Sequence, residues 1–190
     1  IFHHWGYFQH HSLGYVLRQQ CNEVKNDNAK QHTLYEKAAR QYKKAVESIE
    51  ELSKYDQHEL VIDKNDIQSK KIKSSYELAY VYEELDMWDR AEKLYQDAID
   101  TSVIFGDKML QFDSLYEYGI FHYNKELYKE ALRIFKEAFN TIKDSPLSIR
   151  KSKNIYNATK WFGQCYTSLG NYQNAYNIYQ KLCNVAETRL

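Results

Sequence analysis

SSYELAYVYEELDMWDRAEKLYQDAIDTSV, residues 74–103, decides the architecture of this chain. Leu78, Ala79 and Tyr82 mark one apolar face, and Trp88, Ala91, Tyr95 and Ala98 mark a second, both at the three-and-four spacing of a half-buried helix. Leu85-Asp86-Met87 between them reads as a tight polar turn. The stretch therefore predicts a hairpin of two amphipathic helices, A then B. Its B pattern recurs as Tyr35-Ala38-Tyr42-Ala45, Trp88-Ala91-Tyr95-Ala98, Tyr128-Ala131-Phe135-Ala138 and Tyr172-Ala175-Tyr179-Leu182, each aromatic, small, aromatic, small or apolar at offsets 0, 3, 7 and 10.

The A helices follow more loosely. Ala79 stands 12 residues before Ala91, Gly119 12 before Ala131, and Gly163 12 before Ala175. In the first repeat Gly14 is the only candidate, and it stands 24 before Ala38. A small residue where A and B cross lets the two backbones approach, and a bulky ring fills the groove beside the crossing.

This pairing of small and aromatic positions resembles the tetratricopeptide repeat (TPR). The resemblance covers residues 72–190 closely and 12–55 loosely. It implies an all-α fold, a TPR-like right-handed α-solenoid of antiparallel helix pairs. It also implies one domain over 1–190, with repeats near 12–55, 72–105, 107–143 and 146–187. The B helices recur at intervals of 40 and 44 residues, against about 34 in the common form. Long repeats of this kind resemble those of bacterial peptide-pheromone sensors of the Rap and NprR type and of animal Pins/LGN-like scaffolds. The isoleucine, lysine, asparagine and tyrosine usage suggests a low-GC genome and favours the bacterial side.

Elsewhere the reading is local. Residues 1–24 predict an aromatic-rich helix carrying four of the seven histidines. His3 and His10, like His4 and His11, lie two turns apart, whereas a helical zinc pair sits three or four apart, so partly buried histidines are expected rather than a metal site. KNDNAKQHT at 25–33 reads as turn formers, with Thr33 and Glu36 as a capping box for the next helix. Residues 53–71 are irregular: a helix start is expected near Asn65 or Asp66, and His58 to Ile62 is either a loop or an extension. Trp88 to Phe105 should stop at Gly106, with Asp107 capping the helix that follows. Ser145-Pro146 reads as N-cap and N1 of a helix reaching Ser168, and Leu169-Gly170-Asn171 as its closing turn.

Composition excludes several classes. With 26 basic and 26 acidic residues the formal charge is zero, so no global field steers the chain to nucleic acid or an anionic membrane. No apolar run approaches the roughly 18 residues of a membrane span. Three cysteines without a CxxC pair fit a reducing, cytoplasmic setting, with Cys165 and Cys183 expected as small buried residues. The acidic pairs Glu83-Glu84 and Glu50-Glu51 read as solvated helix faces. No phosphate-binding loop, nucleophile elbow, dinucleotide fingerprint or HExxH is present, so neither catalysis nor a cofactor or metal is expected. The first residue is Ile1, and a segment of a longer chain is expected.

The resemblance implies that A-helix residues build a concave binding wall: Lys73, Tyr76, Tyr80 and Glu83, then Asp113, Tyr116, Ile120 and Tyr123, then Asn157, Lys160, Gln164 and Thr167. The residues expected to touch a partner are Lys73, Tyr76, Tyr80, Glu83, Tyr116, Tyr123, Asn157, Lys160 and Gln164. Mixed tyrosines, amides and single charges suit an extended peptide. The alternative, that several of these tyrosines pack between helices, stays open. Family members that grip a C-terminal carboxylate use a Lys and Asn pair, and only Lys160 with Gln164 comes near it. The implied function is a non-catalytic module binding a protein or peptide, with homo-oligomerisation left open. Two alternatives stand beside it: the peptide-sensing domain of a bacterial transcription regulator or response-regulator antagonist, and the sensor or scaffold arm of a larger enzyme or immune protein.

Overall fold

The structure, a computed structural model, describes residues 2–24, 26–55, 63–146 and 153–187. Among the described residues there are eight helices and no strand: α1 (Phe2–Glu23), α2 (Asn28–Leu52), α3 (Lys64–Glu84), α4 (Trp88–Phe105), α5 (Lys108–Asn124), α6 (Tyr128–Thr141), α7 (Lys153–Ser168) and α8 (Tyr172–Glu187). Odd-numbered helices are the A members and even-numbered ones the B members. The chain forms two compact units, Ile1–Phe105 and Gly106–Leu190.

Three of the four B helices bury most of the stripe their sequence marks, whereas on α8 only Ala175 is buried, Tyr179 and Leu182 are half-buried and Tyr172 is exposed. Tyr35, Ala38, Tyr42 and Ala45 of α2, Ala91, Tyr95 and Ala98 of α4, and Ala131, Phe135 and Ala138 of α6 are all buried. In the first unit α2 joins Cys21 of α1 to Leu78 and Val81 of α3 in one cluster, while Tyr7, Ala45, Ile49, Leu52 and Ile67 form another. In the second unit Ala131, Phe135 and Cys165 are ringed by Tyr116, Phe139, Trp161 and Phe162. Complete burial of a side chain such as Phe135 stabilises by roughly 1.5–3 kcal/mol.

The A-to-B turns are built alike. Asp86 N donates to Glu83 O (3.0 Å) and Met87 N to Tyr82 O (2.8 Å). Glu126 N to Tyr123 O (2.9 Å) with Leu127 N to His122 O (3.0 Å), and Gly170 N to Thr167 O (3.0 Å) with Asn171 N to Tyr166 O (2.9 Å), repeat the motif. This double bond, closed by one left-handed residue, satisfies carbonyls that the helix end would leave unpaired. The helix ending at Phe105 stops as expected, Gly106 having φ +77°. Asp107 then caps α5 by accepting from Met109 N (2.8 Å) and Leu110 N (3.0 Å).

Several local expectations need correction. Residues 28–33 are helical: Asp27 is the N-cap of α2, accepting from Lys30 N at 3.0 Å, and Thr33 sits inside the helix with its hydroxyl donating to Ala29 O at 2.9 Å. A carboxylate earlier in the run wins the cap, so the Thr33–Glu36 box is not used. The helix expected near Asn65 or Asp66 begins at Lys64, capped by Asp63. Cys183 is exposed, whereas Cys165 is buried. Glu83 is buried at 5% exposure, because its own turn faces the B helix and its carboxylate lies 3.5 Å from the Tyr95 hydroxyl. Residues 58–62 and the 147–152 part of the helix expected from Pro146 lie outside the described residues.

Candidate site on the A-helix faces

The crossing points set the register from which the site is built. A Cβ added at Gly119 would meet the Phe135 ring at 2.7 Å, and one at Gly163 the Tyr179 ring at 2.8 Å. Both glycines precede their ring by 16 residues, as Ala79 precedes Tyr95. Gly14 meets Tyr42 at 3.1 Å, 28 residues on. The 12 additional residues lie in a longer end of α1, a longer loop and an earlier start of α2, so this helix pair has the same kind of crossing and is taller. Gly14 therefore takes the place of Ala79, and Phe8, His11, Tyr15 and Arg18 of α1 take the places of Lys73, Tyr76, Tyr80 and Glu83 of α3. Sequence reasoning missed these four residues. The signal was the glycine itself, hidden by the irregular hairpin length.

In the first unit His11, Tyr15 and Arg18 of α1 form a connected cluster with Tyr42, Glu77 and Tyr80. Arg18 pairs with Glu77, and its guanidinium lies 5.7 Å from the Tyr15 ring centre and 5.2 Å from that of Tyr80. The Tyr42 hydroxyl is 3.5 Å from the Glu77 carboxylate, and the His11 ring lies edge-on to Tyr42 at 5.5 Å. Tyr35 is buried in the Cys21 cluster of that unit, with Tyr80 packed against it. Lys73 is exposed, and Tyr76 and Tyr80 are half-buried.

Burial shapes the charge on this face. It raises the Glu77 pKa, with Arg18 and the Tyr42 hydrogen bond pulling the other way. Burial, then Glu84, pushes Tyr80 up to about 12, and burial, then Glu77, raises Tyr42. His11 is lowered by burial, then by Arg18 and Lys73. The phenols are thus neutral donors at physiological pH, grouped around one clamped guanidinium.

In the second unit the A helices α5 and α7 are tied along their shared face. Asn154 Nδ2 donates to Asp113 Oδ1 at 3.0 Å. Tyr116 stacks on Phe112 at 6.4 Å, packs with Trp161 around the Phe135 cluster, and is raised to about 12, by burial first and then by Glu117. Tyr123 lies 5.1 Å from Trp161, and its hydroxyl is 3.1 Å from Ser168 Oγ. Both expected wall tyrosines thus pack with Trp161, a residue the sequence reading did not single out. Ile120, Asn157 and Gln164 are half-buried and Lys160 is exposed, while the Thr167 hydroxyl donates to Gly163 O at 3.1 Å. Gln164 Oε1 is buried without a hydrogen-bond partner.

Among the described residues no group of three His, Cys, Asp or Glu is placed to hold a metal ion. Burial raises the Cys165 thiol to about 12, and that of Cys21 rises for the same reason, so neither is a thiolate. No described helix is long and apolar enough to cross a membrane.

Residues 74–109, covering the second half of α3 and all of α4, match a tetratricopeptide repeat model, and residues 161–189, in α7 and α8, match another. The chain carries tetratricopeptide repeats. No curated protein matches it in sequence. Among solved structures, the TPR chain is similar to BtubC from P. vanneervenii, with 16% identity and TM-score 0.61 over 92% of this chain and 72% of that one. It is similar to the apo form of RapI, with 12% identity and TM-score 0.65 over 97% of this chain and 57% of that one. A third is the Rap conjugation gene regulator of the plasmid pLS20 in complex with the Phr peptide, with 18% identity and TM-score 0.55 over 96% of this chain and 53% of that one. At these identities the likeness is one of fold, and the chain spans little more than half of either Rap protein. The two matches fall on α3 with α4 and on α7 with α8, and neither covers the helix pairs α1 with α2 and α5 with α6.

Proposed function

We propose that this TPR chain is a non-catalytic module that binds an extended protein or peptide segment along its A-helix faces. The observation that carries the reading is on α1 and α3, where Arg18 is held between Tyr15 and Tyr80, with Lys73 exposed and Phe8 and Tyr15 44% and 48% exposed. Rigid rings with polar tips give contact area at low entropic cost, and a pre-oriented guanidinium beside them recognises backbone carbonyls or an acidic side chain. Glu83 is left out because its carboxylate faces the core. Tyr116 and Tyr123 offer less free ring surface, since Tyr116 stacks on Phe112 and Tyr123 meets Trp161 in a T-shaped contact. The exposed Lys160 and the half-buried Asn157 and Gln164 mark the corresponding face of α7.

The test is a library of random linear peptides selected on the whole chain. Enriched peptides should lose roughly 10- to 100-fold in affinity on Tyr15→Ala, equivalent to about 1.4–2.8 kcal/mol, with the helical circular dichroism unchanged. Failure to enrich any linear peptide, or equal binding to the variant, would defeat the reading.

A peptide-sensing regulator is the second reading, favoured by the fold shared with the peptide-bound Rap regulator. It adds to the first that the peptide shifts a second binding equilibrium, which calorimetry with and without peptide measures once an effector is in hand.

A further inference from the structure

Glu77 lies on the α1-facing side of α3, one position after Tyr76 and three before Tyr80, and it is none of the residues expected at the wall. Its carboxylate joins three helices. It pairs with Arg18 of α1, and the same oxygen stands 3.5 Å from the Tyr42 hydroxyl of α2. The Glu77 and Arg18 side chains are 20% and 23% exposed, so the pair is shielded from most of the solvent while one edge still meets water.

The other charges around this pair cancel. Lys70 pairs with Asp66, and its ammonium lies 5.4 Å from the Phe8 ring centre. His11 is held below its ordinary pKa by burial, then by Arg18 and Lys73, and is neutral at physiological pH. Lys73 and Glu84 are exposed, of opposite sign, and screened by water and salt. An incoming segment therefore meets an aromatic surface of Phe8, Tyr15 and Tyr80 around a guanidinium whose charge is already balanced.

We propose that Glu77 is the specificity-determining residue of this face: as the resident counter-ion of Arg18 it restricts the group seated beside Tyr15 and Tyr80 to a neutral oxygen acceptor of the partner segment, and turns a carboxylate away. That acceptor is a backbone carbonyl or a side-chain amide. The inference rests on the peptide-binding reading and chooses between the two acceptors which that reading allows. Arginine keeps its proton in any protein environment, so an unmatched guanidinium here would draw a carboxylate into a two-point contact. With Glu77 in place, an incoming carboxylate feels attraction from Arg18 and repulsion from Glu77 at nearly the same point, yet still gives up its own water. A carbonyl oxygen carries no net charge and loses far less hydration in the same position. Burial already pushes Glu77 toward its protonated form against the pull of Arg18 and Tyr42, so a second carboxylate acts in the direction that burial has made costly.

Linear peptides enriched on the whole chain are resynthesised with glutamine, then with glutamate, at each position in turn. Calorimetry measures their affinities for the wild type, Arg18→Met and Glu77→Gln. The position beside Arg18 is the one at which Arg18→Met changes the difference between the two peptides. There the wild type should bind the glutamine peptide about 10-fold more tightly than the glutamate peptide, and Glu77→Gln should reverse the order. Glutamine keeps the shape of Glu77 and an acceptor oxygen for Arg18, so the helical circular dichroism should be unchanged. A purely structural Glu77 would weaken both peptides equally in Glu77→Gln and leave their ratio at the wild-type value, which overturns the proposal. The wild type alone supplies a second arm, which stands even if the variants do not fold. Enriched peptides that share an acidic residue, and bind it about 10-fold less tightly once that residue is changed to glutamine, overturn the proposal. That outcome leaves the peptide-binding reading standing, whereas a library that enriches nothing removes both.

Discussion

Asp86, Glu126 and Gly170 occupy one position in three successive turns, with φ of 57°, 60° and 72°. Only glycine adopts that region without a Cβ penalty, which for other residues costs about 1–2 kcal/mol before glycine's greater unfolded-state entropy offsets part of it. Glu126→Gly should therefore stabilise the chain by roughly 0.5–1 kcal/mol, and Gly170→Ala should destabilise it by about 1 kcal/mol. Nothing lies within 4 Å of a Cβ at Gly170, so the loss reports backbone strain alone. Urea midpoints at constant slope check both. A second residue-level effect is His11, whose folded pKa lies below 6.5 because burial, then Arg18 and Lys73, disfavour the cation. The unfolded chain therefore takes up this proton first as pH falls. The associated stability is present above 6.5 and is lost as pH drops through 6.5 toward the folded value. His11→Gln should flatten the melting temperature of the chain across about pH 7.5 to 5.5, relative to wild type.

At the scale of the helix pair, the crossing residue decides how closely A and B approach. Gly119 and Gly163 leave less than 3.0 Å for a Cβ against their rings, whereas Gly14 leaves 3.1 Å. Gly119→Ala and Gly163→Ala should each cost roughly 1–3 kcal/mol through overpacking, and Gly14→Ala less, offset in part by better helix propensity. An equal cost at all three positions by chemical denaturation would mean that the crossings are not graded in this way. The same contacts explain why one register was illegible. Three hairpins hold crossing residue and ring 16 apart, and the fourth spreads them to 28 by lengthening both helices beyond the crossing. Periodicity survives such lengthening, but the offset between partner helices does not, so Tyr15 and Arg18 fell outside the expected wall.

For the whole molecule, the amphipathic stripes, the small-to-aromatic alternation and the turn residues were determined by sequence alone, because each depends on neighbours within a few residues. Helix boundaries at Trp88, Phe105 and Asp107 and the repeated B-helix core were legible for that reason. What only the tertiary structure decided involves groups far apart in the chain: Arg18 meeting Glu77 across 59 residues, Tyr123 turning to Trp161, and Glu83 burying its carboxylate beside Tyr95. A helix pattern tells which residues share a face. Whether that face meets water, a neighbouring ring or an opposite charge depends on the rotation of one packed helix against another, and that rotation is set by the summed fit of side chains that no local spacing records.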